Sequence, residues 1–399
     1  MTDTKCPLLW DHLHISLNGN HSPCCHSQWF KDQGPWKQVV WGKFDSELGI
    51  HSKDHKLARQ QMREGKRVPM CEICYRREDK GLSSPRLKHI IDHKIENRQI
   101  DYNSEPTSVY SFDLKFDRTC NLGCRMCNPY SSSFLNKDLD KIKQSDRFAE
   151  EETEWDTDYQ QDDKLELAKN TVANGLKVFK TTGGEPFLQR HFIEFVDWCI
   201  ENNYNSDLSL RITTNLTLLN QTLLDKLFLF KHIAINVSCD AIGDTYEYIR
   251  YPAKWQDFDS KWQLLKQKVA QYPKEKVDLS ISTILQIYNL FDLDNLNNYF
   301  EGYDWQVDED LKPDGTELSV ANLPKDTLQQ WLDTIADSNS WTIKYVADYI
   351  SAVLKEDMDE YLLKEFVRKT NIMDNHRKQS YTCLNNTIVD LINTYNNKE

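Results

Sequence analysis

Apolar and polar residues alternate over 109–116, with Tyr110, Phe112, Leu114 and Phe116 on one side and Asp113 and Lys115 on the other. Period-2 alternation of this kind predicts a half-buried strand. Further strands are expected at 177–182, 207–213, 233–239, 277–286 and 317–321, with helical stretches between them. The clearest helix is 189–203, where Phe192, Phe195, Val196, Cys199 and Ile200 recur at i, i+3, i+4, i+7 and i+8. That spacing makes Cys199 a packed thiol rather than a ligand.

Strands alternating with helices mark parallel βα units. The expected fold class is therefore α/β: a partial (β/α)6 TIM-like barrel, with chemistry at the C-terminal ends of its strands. Before it, Leu13, Ile15 and Leu17 alternate with polar residues, and Asn18-Gly19 is a type I′ hairpin signal. The chain returns through Pro23 to Cys24-Cys25, and Trp29, Trp36 and Trp41 are expected to pack a minor core. A charged helix over 54–65 leads to Cys71-Glu-Ile-Cys74, and the polar stretch 98–107 suits a boundary. The acidic stretch 146–163 reads as a solvated insertion. Beyond Pro324, helices are expected near 325–337, 341–355 and 359–369. Three parts follow: a cysteine-rich module over 1–107, the barrel over 108–323 and a helical extension over 324–399.

Composition narrows the chemistry. With 39% hydrophobic and 28% charged residues the chain reads as a water-soluble globule, and no apolar run approaches the roughly 20 residues of a membrane span. The first ten residues lack a basic region followed by an apolar core, so the expected compartment is cytoplasmic. A net charge of −13 argues against non-specific binding to nucleic acid or anionic membrane. Of 11 cysteines, eight precede residue 128, mostly in pairs or triplets, which favours metal or iron–sulfur binding over a disulfide scaffold.

Cys120-Asn-Leu-Gly-Cys124-Arg-Met-Cys127 follows the strand 109–116 directly. Three thiolates in one short loop can share one inorganic centre, and they leave one position of a four-coordinate or cubane site open. Spacing alone leaves zinc, iron–sulfur and a chance grouping in play. The next strand runs into Thr181-Thr182-Gly183-Gly184-Glu185-Pro186, where two glycines admit a ligand close to the backbone and Glu185 can take an amine. Strand 207–213 ends in Thr213-Thr214-Asn215, and strand 233–239 ends in Ser238-Cys239-Asp240, with Arg250 further on. Four consecutive strands thus end in polar or metal-binding groups. Cys239 reads as packed.

The cysteine triplet together with Gly183-Gly184-Glu185-Pro186 resembles the radical S-adenosylmethionine (radical SAM) superfamily over roughly 109–290. The resemblance implies a [4Fe–4S] cluster on Cys120, Cys124 and Cys127, with SAM chelating the fourth iron. One electron then cleaves SAM to methionine and a 5′-deoxyadenosyl radical, which abstracts hydrogen from a substrate. It further implies Glu185 at the SAM amine, Asn215 and Ser238 near the ribose or methionyl end, and Thr283 and Leu285 at the adenine. Met126 stands where the family often carries an aromatic residue, and a thioether can pack on the adenine ring instead. A one-electron reductant such as flavodoxin or ferredoxin is implied as partner.

Cys6, Cys24, Cys71 and Cys74, with Cys25 as a substitute for Cys24, resemble the auxiliary-cluster modules called SPASM or twitch, here placed before the barrel. The resemblance implies a second [4Fe–4S] cluster, with structural zinc as the alternative. It points to a peptide or protein side chain as substrate, then to a small metabolite, then to a nucleotide or nucleic acid. A metal-stabilised binding or scaffold protein without chemistry is the reading from another class. That reading requires loss of SAM-contacting residues, whereas Glu185 and Asn215 are present.

Overall fold

The computed structural model describes residues 4–27, 29–30, 37–38, 49–79, 81–145, 161–308 and 317–397. Trp36, Trp41 and most of the acidic stretch 146–163 lie outside them. The strands are β1 (His12–Ile15), β2 (His21–Ser22), β3 (Trp29–Phe30), β4 (Lys37–Gln38), β5 (Ser111–Leu114), β6 (Val178–Thr181), β7 (Ser209–Thr214), β8 (His232–Ser238), β9 (Val277–Ile284) and β10 (Asp304–Asp308). The architecture is mixed α/β, with mostly parallel strands and many helices, as the partial-barrel reading expects.

The chain divides into two compact units. The first comprises residues 1–117, 156–212 and 221–233. In it β1, β5, β6 and β7 run parallel in that order, in the register His12↔Ser111↔Val178↔Ser209. The expected hairpin forms, with β2 antiparallel to β1 and Ile15 opposite His21. Beyond the hairpin reading, β1 also takes β5 as a parallel partner. One face of these strands is apolar: Phe112 and Phe116 meet Phe179, which packs on Phe195 at 4.3 Å between ring centroids. Phe192 and Phe195 come from the helix Arg190–Glu201, where Cys199 is fully buried as expected.

The second unit comprises residues 118–155, 213–220 and 234–399. In it β9 and β10 run parallel, Ser280 opposite Asp304. Two strand assignments need correction. Residues 317–321 are not a strand: Leu318 and Val320 alternate in burial, but the chain turns through a 3-10 helix at Val320–Asn322, capped by the Ser319 hydroxyl. The sixth strand is instead β10, where Trp305 and Val307 are buried between exposed polar residues. The C-terminal helices form at Lys325–Thr334, Trp341–Val353 and Glu360–Arg377, joined by an unexpected one at Asn386–Asn396.

The polar face of β1 and β5 is as closed as the apolar one. His14 is 0% and Asp113 1% exposed. Burial pushes His12 down to about 4 and His14 down to about 3, against the pull of Asp113. Both imidazoles stay neutral in the fold, whereas the unfolded chain protonates them near the ordinary value of about 6.5. Their contribution to stability is whole above that value and is lost as the pH falls toward 4 and then 3. The wild-type Tm should fall more steeply from pH 6.5 to 4 than that of His12→Gln/His14→Gln; parallel curves would remove the histidines as the cause.

Candidate metal centre

The cysteine loop lies in the second unit and is held by its backbone. Gly123 N–H donates to the Tyr251 carbonyl at 2.7 Å, and Arg125 N–H to the Ile249 carbonyl at 2.9 Å. Cys120 N–H donates to the Ser133 hydroxyl at 3.1 Å, and the Ser132 hydroxyl donates to the Leu122 carbonyl at 2.6 Å. A Cβ at Gly123 would lie 3.0 Å from a Phe134 ring carbon and 3.1 Å from a terminal nitrogen of Arg377, so either side chain would have to give by a few tenths of an ångström to admit one.

The Arg125 guanidinium is fully buried. It donates through Nε to the Tyr248 carbonyl at 3.0 Å, lies 3.6 Å over the Tyr248 ring and pairs with Asp374 of the helix Glu360–Arg377. Arg377 from the same helix donates to Asp138 at 2.8 Å. The loop is therefore clamped between its own backbone and a helix some 250 residues away.

Cys124 is buried, and Cys120 and Cys127 are half-buried. Burial pushes the Cys124 thiol far up; Arg250 pulls it down, and Cys127 and Cys120 push it up again. The three thiols are thus electrostatic neighbours, the condition under which a cationic centre is favourable. Arg250 pairs with the buried Asp240 at 2.7 Å and supplies fixed positive charge to the site. Asn215 adds a donor. Its carbonyl oxygen accepts from Thr217 N–H at 2.9 Å and from the Thr217 hydroxyl at 2.6 Å, which turns its amide nitrogen to Asn121 Oδ1 at 3.2 Å and Cys120 Sγ at 3.9 Å. An N–H on a ligating sulfur tunes a cluster's potential.

A cubane takes each thiolate on a separate iron, so its ligands surround a volume rather than meet at a point. Among the described residues no three His, Cys, Asp or Glu side chains are gathered as a single-ion site. The donor set fits a cluster: three thiols in one loop, an amide donor on one of them and a buried arginine as countercharge.

Ser238 ends β8, half-buried, in the same unit, and Met126 is half-buried in the loop. Cys239 is packed, its thiol donating to the Ala241 carbonyl at 3.2 Å. Thr283 and Leu285 are buried, and the Thr283 hydroxyl is committed to the Cys239 carbonyl and Trp305 Nε1.

The Gly183–Pro186 turn lies in the first unit. Gly183 and Gly184 adopt φ of +83° and +55°, which side-chain-bearing residues rarely adopt. Gln189 Nε2 ties the turn down, donating to the Gly183 carbonyl at 2.7 Å and the Asp117 carbonyl at 2.9 Å. Glu185 is 0% exposed, and its carboxylate accepts from Phe187 N–H at 3.2 Å. Also in this unit, Cys6 packs in one apolar cluster with Cys24 and Cys71 against it. The Cys71 thiol is pushed up by burial and then by Cys6, Cys24 and Cys74, so these four thiols lie within electrostatic reach of one another. Cys25 instead faces His26, Lys180 and Asp113.

Comparison with known proteins bears on the loop directly, because residues 114–270 match the family model of the radical SAM superfamily. These residues are similar to a radical SAM domain. The match begins within β5 and contains the cysteine loop, Gly183–Pro186, Asn215 and Ser238. An uncharacterized protein of Methanocaldococcus jannaschii, MJ0907, is 30% identical over 148 residues, covering 35% of this chain and 41% of that protein. Among solved structures, Streptococcus suis SuiB bound to precursor peptide SuiA aligns at TM-score 0.39 and 13% identity, covering 79% of this chain and 64% of that one. The radical SAM methyltransferase TsrM of Kitasatospora setae, with tryptophan substrate and a SAM analogue bound, aligns at 0.35 and 11%, covering 55% and 39%. The chain thus spans less than two thirds of each of these relatives. No helix among the described residues is long and apolar enough to cross a membrane.

The functional residues that sequence reading missed are Arg125, Asn121, Thr217 and Asp374. Only Arg125 carried a signal, a charge lodged between two cysteines of the triplet.

Proposed function

We propose that the chain is a radical SAM enzyme acting on a peptide or protein side chain. The observation that carries the reading is the clamped loop of Cys120, Cys124 and Cys127, with the Asn215 amide on the Cys120 sulfur, inside a radical SAM domain. A [4Fe–4S] cluster with SAM bound supplies reductive cleavage of SAM to a 5′-deoxyadenosyl radical that abstracts hydrogen from the substrate. The three cysteines hold that cluster, and Arg250 balances its charge. Glu185, Asn215 and Ser238 orient SAM through its amine and hydroxyls, and Met126 packs on its adenine. Cys6, Cys24, Cys71 and Cys74 hold a second [4Fe–4S] cluster, and flavodoxin or ferredoxin delivers the electron. A peptide is favoured because the electrostatic proximity of these four thiols supports the SPASM/twitch-like reading.

Anaerobically reconstituted protein, incubated with SAM and dithionite, should release 5′-deoxyadenosine detectable by mass spectrometry, and Cys124→Ala should release none. Wild-type protein with full iron content and no 5′-deoxyadenosine would sink the proposal.

A further inference from the structure

In the first unit one arginine joins the segments that carry Cys6, Cys71 and Cys74. Arg86 lies in the first turn of the helix Pro85–Ile95, whose cap is Ser84: its hydroxyl accepts from Leu87 N–H at 3.1 Å. The residue is only 4% exposed, so water does little to screen its charge. Two contacts hold it against the cysteine segments. Its Nη1 donates to the Lys5 carbonyl at 2.8 Å, one residue before Cys6. Its guanidinium lies 5.5 Å over the ring of Tyr75, the residue after Cys74, and the Tyr75 hydroxyl donates to the Thr4 carbonyl at 2.9 Å.

Glu78 takes the other edge of the guanidinium. Nε donates to Glu78 Oε1 at 3.0 Å, and Nη2 pairs with Glu78 Oε2. The Ser84 hydroxyl donates to the same Oε1 at 2.5 Å. A bidentate fork of this kind fixes the plane of the guanidinium as well as its position. The carboxylate therefore sits across the guanidinium from Nη1. As a whole the pair is neutral, but its cationic side is the one turned to Lys5 and the Cys6 segment.

The electrostatics of the thiols agree with that orientation. Burial pushes the Cys6 and Cys71 thiols up, and Arg86 draws both back down. A cluster held by four thiolates gains one negative charge when it is reduced. A fixed cation within reach of those thiolates stabilises the reduced form more than the oxidised one, and local charge is among the factors that set such potentials.

We propose that Arg86 sets the reduction potential of the auxiliary centre, raising it by holding a buried cation within electrostatic reach of Cys6 and Cys71 in an orientation that Glu78 fixes. The proposal rests on the reading of Cys6, Cys24, Cys71 and Cys74 as ligands of a second [4Fe–4S] cluster, and it names the residue that tunes that cluster. Arg86 makes the centre a better electron acceptor, and Glu78 limits how much better.

Redox titration followed by electron paramagnetic resonance tests it on the reconstituted full chain, in a Cys120→Ala/Cys124→Ala/Cys127→Ala background so that the auxiliary centre alone is read. Glu78→Gln, which leaves the cation without its counter-ion, should raise the midpoint by about 59 mV or more, a tenfold change in a one-electron equilibrium. Arg86→Met/Glu78→Gln, which removes the pair without stranding either charge, should shift that equilibrium about threefold or more the other way. Arg86→Lys keeps the cation and should stay closer to the parent than the double variant does. Midpoints unchanged in Glu78→Gln and in the double variant, or moved in the same direction by both, overturn the proposal, since loosened packing alone would shift them alike. Loss of the cluster from both makes Arg86 a structural residue and overturns it too. Metal analysis reports separately on the reading beneath: zinc in place of iron in the parent chain overturns the auxiliary cluster and the tuning with it, whereas iron at an unmoved potential overturns the tuning alone.

Discussion

Asp374→Ala should destabilise the protein by about 3–5 kcal/mol, the cost of stranding a buried charge, and should strip iron from the cysteine loop. Asp374 lies outside the residues 114–270 that match the radical SAM family model, yet it is the ion-pair partner of Arg125, whose side chain is 0% exposed. Without that carboxylate the guanidinium keeps Gln379 at 3.1 Å and the Tyr248 carbonyl and ring, but no counter-ion. The loop must then either hold an uncompensated buried cation or swing Arg125 out to water, and the second choice gives up the Nε–H bond to the Tyr248 carbonyl. A Tm drop on the order of 5–10 °C is expected for a chain of this size. The double variant Arg125→Met/Asp374→Leu should lose much less than Asp374→Ala, because no charge is left alone. Thermal unfolding and iron content, measured after identical reconstitution, check both. If Asp374→Ala melted and loaded iron as wild type does, the clamp would have no energetic role.

What the sequence disclosed and what it withheld divide along contact distance. The loop Cys120–Cys127 was legible because its three cysteines share eight residues and need no partner elsewhere. Strand β5 was legible because alternation is a local property. Its polar face was misjudged for the same reason. Alternation marks Asp113 as facing away from the apolar core, and only the pairing with β1, which lies about a hundred residues earlier, shows that this face is covered too. The Arg125–Asp374 pair joins positions 249 apart, and no periodicity encodes it. Strand β10 was missed because Trp305 and Val307 are its only apolar residues, too few to stand out, although their spacing is that of a strand. Residues 317–321 mislead in the opposite sense: Leu318 and Val320 are both buried, but the Leu318 carbonyl serves Ile287 N–H at 2.8 Å and the chain then turns. Burial at period 2 does not require a ladder.

Wild-type protein should reconstitute with about eight irons per chain, Cys24→Ser with about four, and Cys25→Ser with about eight, if each site holds one four-iron cluster. Sequence alone leaves the adjacent pair undecided, since either thiol could complete a set with Cys6, Cys71 and Cys74. The fold favours Cys24. It packs against the apolar cluster that contains Cys6, and it adds to the upward push on the Cys6 and Cys71 thiols, so its sulfur belongs to that group. Cys25 acts on Cys24 too, but its own strongest electrostatic neighbours are His26, Lys180 and Asp113. A drop to about four irons in Cys25→Ser with none in Cys24→Ser reverses the assignment. Wild-type protein with about four irons and one zinc makes the N-terminal site structural. In that case the Cys24→Ser variant should lose the zinc and unfold at lower temperature while still releasing 5′-deoxyadenosine, because four thiolates around a redox-inert ion hold the chain together without passing an electron.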